Sequence, residues 1–304
     1  MMPKEYYKLF DLCVESNIHL SITQIQPCQP DVIIEVDEWK PARVDDDSVE
    51  FEIDGLNNII VDIHDMAKFT IKNGNYMNIV PHSEDYWKNE IVTYIVGVAF
   101  ATLLLQRDVF SIHGSAICAN NQAFIIVGEA GAGKSSIARE FIQSGYKLLS
   151  DDLSAISTKN QLYVIPSFPT QKMWKNTMDA YESSPDPSKK IFHDVDKFYV
   201  DAQDHFEESS KQLGGIIWLE ESEVEEVTLT KLEKNQALEV LLIHAFIEDM
   251  VEKLGLKTQQ FILLSHVLSH VDVYHLERPN NQFTVKEQVC IIQEKLFEQI
   301  ENKL

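Results

Sequence analysis

The chain has 304 residues, enough for two domains or one large one, and long enough to bury a sizeable core without metal or disulfide staples. It carries 26 Lys and Arg against 48 Asp and Glu, a formal charge of −22, with hydrophobic residues at 44%. That composition is globular, and the excess of carboxylates argues against binding to a nucleic-acid backbone or docking on anionic membrane.

Four cysteines, Cys13, Cys28, Cys118 and Cys290, form no C-x-x-C pair. They suggest neither a disulfide framework nor a zinc ribbon, so the expectation is reduced thiols in a cytoplasmic protein. Asp11 and Glu15 fall where a signal peptide needs an apolar run. The longest apolar stretch, Ile91 to Leu105, is short for a bilayer span and reads as a buried helix.

Residues 6–80 alternate in the manner of short strands, with turn signals at Asp54-Gly55 and Asn73-Gly74. They predict a small antiparallel β domain over residues 1–84. The remainder, 85–304, begins with a helix over 85–106. Two short strands follow around 110–113 and 115–119, then a turn at Asn120-Asn121 and a strand over 123–127. A glycine-rich loop, an amphipathic helix closed by Gly145, and a strand ending in Asp151-Asp152 come next. This strand–loop–helix–strand order predicts an α/β domain built on a parallel sheet. Residues 175–210 are polar and rich in turn formers and read as a mobile loop. GGIIWL (214–219) and 271–276 read as strands. Helical spacing covers 234–249, 258–270 and 285–302.

The loop is Gly128-Glu129-Ala130-Gly131-Ala132-Gly133-Lys134-Ser135, which fits G-x-x-x-x-G-K-[ST] at every fixed position. Glycines let the backbone curl so that successive N–H groups face phosphate oxygens, and the helix behind adds its positive end. Lys134 can reach the β- and γ-phosphates, and Ser135 can place its hydroxyl on Mg²⁺. Because the motif lies between an apolar strand and an amphipathic helix, a chance glycine-rich turn is the weaker reading. Nucleoside triphosphate binding is the stronger one, with ATP and Mg²⁺ as cofactors and Ser136 extending the loop's contacts.

Asp151 and Asp152 sit at the carboxyl end of the following strand, where ligands bind in parallel α/β sheets. Adjacent carboxylates there suit a metal ligand and a base, although an isolated Asp-Asp more often caps a turn. His113, taken alone, is an ordinary structural histidine. His266 and His270 stand four apart, but Val267 occupies the position of a metalloprotease glutamate, which argues against a zinc site.

Taken together, IHGSAI and GEAGAGKSSIAREFIQSGYKLLSDD resemble the catalytic domain of bacterial HPr kinase/phosphorylase over about residues 110–157. The resemblance implies that Lys134 and the loop amides hold the triphosphate and that Ser135 binds Mg²⁺. It implies that Asp152 takes the proton from a substrate serine, that Asp151 supports the metal or orients that carboxylate, and that His113 lies near the transferred phosphoryl group. Two features depart from the family. Ser136 replaces its usual Glu, and KQLGGIIWL only partly matches its signature stretch, so a second metal ligand is not assigned.

A branch of HPr-kinase-like proteins from lasso-peptide clusters is similar over more of the chain. Its looser motifs appear as Pro166-Ser-Phe-Pro-Thr-Gln-Lys172-Met-Trp174 and Tyr274-His-Leu-Glu-Arg278-Pro279, with Lys197 at a recurring basic position. That resemblance implies phosphorylation of the C-terminal Ser of a precursor peptide, with Lys172, Lys197 and Arg278 as contacts for phosphate or peptide carboxylate. For Lys197 a surface cation over apolar neighbours is an equal reading. The resemblance to a hexameric family leaves a homo-oligomer open. Four alternatives stay open at this point: an HPr-type protein acceptor, a small-molecule acceptor, a plain ATPase, and an ATP-binding protein without transfer activity.

Overall fold

The computed structural model describes residues 4–41, 49–64, 66–84, 88–158, 161–181 and 184–298. The chain packs as two compact units. One comprises residues 1–111, 174–200 and 247–257, and the other residues 112–173, 201–246 and 258–304. Residues 88–111, which the sequence reading assigns to the second domain, pack with the β-rich N-terminal part.

In the first unit, seven strands form one sheet: β1 (Glu5–Leu9), β2 (Leu12–Ser16), β3 (Val32–Val36), β4 (Val49–Ile53), β5 (Asn58–Ile63), β6 (Ala67–Lys72) and β7 (Tyr76–Pro81), in the order β1-β2-β3-β7-β6-β5-β4. The expectation of an antiparallel sheet needs correction. β2 with β3 and β3 with β7 are parallel, because β3 returns between two hairpin-connected groups. The first run, YKLFDLCVE, is itself a hairpin that turns at Phe10 and Asp11, both at positive φ. Neither residue announces such a turn, so sequence pattern alone merges the two strands.

The apolar stretch from Ile91 is helical and buried, as predicted. It runs as Lys88–Tyr94, a π-turn over Ile95–Ala99 at Gly97, and Phe100–Leu105. Its end is tied to the sheet. Gln106 Oε1 accepts from the Gly74 N–H at 2.7 Å, Arg107 donates to the Gly74 carbonyl at 2.8 Å, and Phe100 meets Phe10 at 5.4 Å between ring centroids. Among the described residues, no helix is long and apolar enough to cross a membrane. The start of the predicted helix at residues 85–87 lies outside the described residues, as does the end of the last one beyond Glu298.

Cys13 and Cys28 form a disulfide, which corrects the expectation of four free thiols. β2 and the loop behind it bring the two Cα atoms to 6.5 Å, a proximity that a separation of 15 residues does not announce. Such a bond is typical of oxidising compartments, so these two cysteines no longer support a reducing one. Cys118 and Cys290 are free. Opening a 15-residue loop in the unfolded chain is expected to cost about 3 kcal/mol of stability. Urea unfolding with and without reductant measures this, and an unchanged midpoint would refute it.

Along the second unit run β8 (Phe110–Ala119), β9 (Gln122–Gly128), the helix Lys134–Gln143, β10 (Lys147–Ser150), β11 (Leu153–Ser157), β12 (Tyr163–Ile165) and β13 (Thr170–Trp174). β14 (Lys197–Asp201) belongs to the first unit as far as Val200, and the second continues with β15 (Lys211–Ser222), β16 (Thr228–Lys231), the helices Lys234–Ile243 and Lys257–His270 (from Thr258), β17 (Val273–Pro279) and the helix Val285–Ile292. The two strands expected at 110–119 are one. The stretch 175–210, expected to be a loop, holds the helix Lys175–Ala180, β14 and two 3₁₀ turns.

β9, β15 and β17 form a parallel core, and β8 pairs antiparallel with both β9 and β10. The strand after the glycine loop therefore runs in the same direction as β9 but lies one strand away, with β8 between. Pairings from β8 through β9, β15, β12 and β11 back to β8 close a ring of five strands. The α/β class stands, with a mixed sheet in place of a purely parallel one.

An aromatic cluster fixes the helix behind the loop. Phe141, Tyr146 and Phe297 lie 5.4–5.6 Å apart, and Phe297 stands 4.7 Å from Phe124 of β9. Each such pair contributes about 0.5–1.5 kcal/mol beyond its buried area. Gly145, at φ +90°, ends the helix. Its N–H reaches the Ile142 carbonyl and that of Tyr146 reaches Phe141, the paired bonds of a glycine C-cap.

Candidate active site

The loop Gly128–Gly133 links β9 to the helix Lys134–Gln143, and its three glycines all have positive φ: +155°, +84° and +114°. Gly128 meets a second constraint. A Cβ there would stand 2.5 Å from the Leu219 carbonyl oxygen of β15, so only glycine lets the loop leave the sheet at this point. Glu129, Ala130 and Gly131 are exposed. Lys134 is buried at the head of the helix, and its ammonium donates to the carbonyls of Gly128 at 2.8 Å and Glu129 at 3.0 Å.

Asp151 and Asp152 follow β10. Asp151 is 4% exposed. It accepts from the Ser115 hydroxyl at 2.5 Å, the Ser135 hydroxyl at 2.9 Å and the Lys172 backbone N–H at 2.8 Å. Asp152 is more open, with 26% of its side chain exposed. It takes the Lys172 ammonium at 2.7 Å, and its other oxygen lies 3.7 Å from His113 Nδ1. Asp152 has φ +72°, and the Leu153 N–H reaches across it to the Asp151 carbonyl at 2.9 Å. This is a γ-turn of the rare positive-φ kind, a strained arrangement that concentrates at functional sites.

Burial pushes the Asp151 carboxyl above its ordinary range, and its hydrogen bonds only partly offset that. An acid whose pKa is raised on folding costs stability as pH climbs above its unfolded value near 3.8, and the full cost is in place above its folded pKa. An amide in its place can still accept from the Lys172 N–H and donate to the serine hydroxyls. Asp151→Asn is therefore expected to melt above wild type at pH 7 without divalent ions, with the gain shrinking as pH falls toward 4. Thermal melts followed by circular dichroism check this. A gain that grows on acidification contradicts the sign.

His113 is half-buried. Burial holds its pKa below the usual imidazole value, with Asp152 opposing, so the ring is neutral at neutral pH. Positive charge at the site comes from Lys134 and Lys172. Arg278 closes the other flank. Its Nε donates to the Ala132 carbonyl of the loop at 3.2 Å, and it pairs with Glu221 at 2.9 Å. His113, Lys134, Ser135, Asp151, Asp152, Lys172 and Arg278 all belong to the second unit, whereas Lys197 belongs to the first. There its ammonium lies over the Trp174 ring, 5.6 Å from the centroid. His266 and His270 contact each other at 4.6 Å on their own helix.

No family model matches the chain, and no curated protein matches it. Among solved structures it is similar to the Hpr(Ser) kinase/phosphatase from Coxiella burnetii. The two share 12% identity, the match covers 62% of this chain and 98% of that one, and the TM-score is 0.32.

Sequence reasoning missed Ser115 and Gln171. Ser115 lies two residues from His113 on one strand, so both point to the same face, a period that could have found it. Gln171 is fully buried and donates to the Ser135 carbonyl at 3.4 Å. Nothing in its sequence surroundings marks it.

Proposed function

We propose that this protein is an ATP- and Mg²⁺-dependent kinase that phosphorylates a serine hydroxyl of a peptide or protein. The acceptor we infer is the C-terminal Ser of a lasso-type precursor peptide. The observation that carries the proposal is the 2.9 Å contact between Ser135, at the mouth of the glycine loop, and Asp151, which brings the aspartate pair against the loop.

In this reading the loop amides and Lys134 hold the β- and γ-phosphates, with the Lys134 ammonium exchanging two loop carbonyls for phosphate oxygens. The residues present suit Mg²⁺. Ser135 and Asp151 offer hard oxygen donors, and among the described residues no ion pair offsets the desolvation of the buried Asp151 carboxyl. When bound, the ion neutralises charge on the phosphates. Asp152 accepts the proton of the acceptor hydroxyl as that oxygen forms its bond to the γ-phosphorus and the bond to the ADP oxygen breaks. Lys172 orients Asp152 and places positive charge beside the transferred group. Transfer of this kind needs positioning and charge stabilisation more than covalent chemistry. The lasso-peptide acceptor rests on the sequence resemblance around Lys172 and Arg278.

Intact-mass spectrometry tests this on a serine-terminated precursor peptide, and on HPr for comparison, each incubated with protein, ATP and Mg²⁺. One added phosphate on the peptide is the expected result. Phosphate on HPr alone would correct the acceptor. Normal ATP binding with no phosphate on either would overturn the kinase reading.

A further inference from the structure

A cavity of about 630 Å³ opens in the second unit beside the glycine loop, whose residues 129–132 form one wall. That volume lies within the range of small-ligand sites. Its other walls are the ends of β15 and β17 and the helix Lys234–Ile243. Trp218 and His275 stack there at 4.1 Å.

Its charge is one-sided. Glu129, Glu220, Glu221 and Glu239 line it, and among the described residues no Lys or Arg does. Two of these carboxylates are engaged, Glu220 by His275 at 2.9 Å and Glu221 by Arg278 at 2.9 Å. Among the described residues no hydrogen bond or ion pair engages the carboxylates of Glu129 and Glu239. Between them the lining is apolar, with Leu232, Val240 and Ile243, the last 65% exposed. A phosphate group would be repelled here, and a neutral base would leave the carboxylates unused. A long cationic side chain uses both features, its stem against the apolar residues and its charge on Glu129 and Glu239.

We propose that this cavity is the acceptor-specificity pocket and takes an Arg or Lys side chain of the peptide substrate. The inference rests on the kinase reading for its context but is testable by binding alone. Fluorescent serine-containing peptides carrying Arg, norleucine or Glu at each flanking position would be titrated by anisotropy, with and without a non-hydrolysable ATP analogue. At one position Arg should bind about two- to fivefold tighter than norleucine, the size of an exposed ion pair. Glu239→Gln should erase most of that preference and Glu239→Lys should turn it toward Glu, both with unchanged affinity for the analogue. Equal binding of the Arg and norleucine peptides overturns the pocket. So does competition between the analogue and the Arg peptide, which would make the cavity a nucleobase site. A preference that survives where no phosphate is transferred supports the pocket and counts against the kinase reading. Transfer without any preference does the reverse.

Discussion

Asp152→Asn is expected to lower phosphoryl transfer by about 10²- to 10⁴-fold, the usual contribution of a positioned base, while nucleotide affinity holds or rises slightly. Asn keeps the shape of the side chain but cannot take a proton. The substitution also removes the negative charge paired with the Lys172 ammonium at 2.7 Å, which leaves the site more positive toward a bound phosphate. Asp151 is poorly placed to take over, because it is 4% exposed and already accepts three hydrogen bonds. Single-turnover transfer and calorimetric binding of an ATP analogue, measured on the same preparation, separate the two effects. Transfer within threefold of wild type would remove Asp152 as the base, and a parallel loss of nucleotide affinity would reassign it to binding.

Lys134→Met should act on the other quantity. The ammonium lies against the loop, 2.8 Å from the Gly128 carbonyl, and one hydrogen bond to a charged partner contributes about 1.5–3 kcal/mol. Nucleotide affinity should therefore fall about 10- to 100-fold. Folding stability should change less than nucleotide affinity, since the ammonium's contacts to the Gly128 and Glu129 carbonyls lie within the loop itself. Methionine preserves the stem, so the packing at the helix head survives. Calorimetry for binding and urea unfolding for stability check both halves. Unchanged affinity would mean that the loop does not hold phosphate, and the kinase reading would fall with it.

The parts of this site that were legible from the sequence are those set by local backbone conformation. Three glycines in eight residues announce a curl that needs positive φ, and Gly128, Gly131 and Gly133 all have it. Gly145 announces a helix end and supplies one, and Asn120-Asn121 announce a tight turn and adopt positive φ in it. The periodicity of the helix Lys134–Gln143 and the apolar run of β9 placed Lys134 and Ser135 correctly at a strand–loop–helix junction. Position along the chain was also enough to set the aspartate pair after the next strand.

Other features depended on residues far apart in the chain. Lys172 is 20 residues beyond Asp152, yet its N–H serves Asp151 and its ammonium serves Asp152. Arg278 reaches the loop at Ala132 from a separation of 146 residues. The sequence named Lys172 and Arg278 only through the resemblance, without these partners, and it missed the Cys13–Cys28 bridge, the parallel pairing of β3 and the order within 175–210.

The sequence by itself determined the loop, its lysine and its serine, because φ preferences and helix ends are properties of a few neighbouring residues. Only the tertiary structure decided which charges surround them. It sorted the two aspartates into a buried one and an open one, moved residues 88–111 into the first unit, and walled an acidic cavity beside the loop with β15, β17 and a helix. The physical reason is that strand pairing and burial are set by contacts between distant segments, whose free energy depends on the whole packed sheet and leaves no local signature.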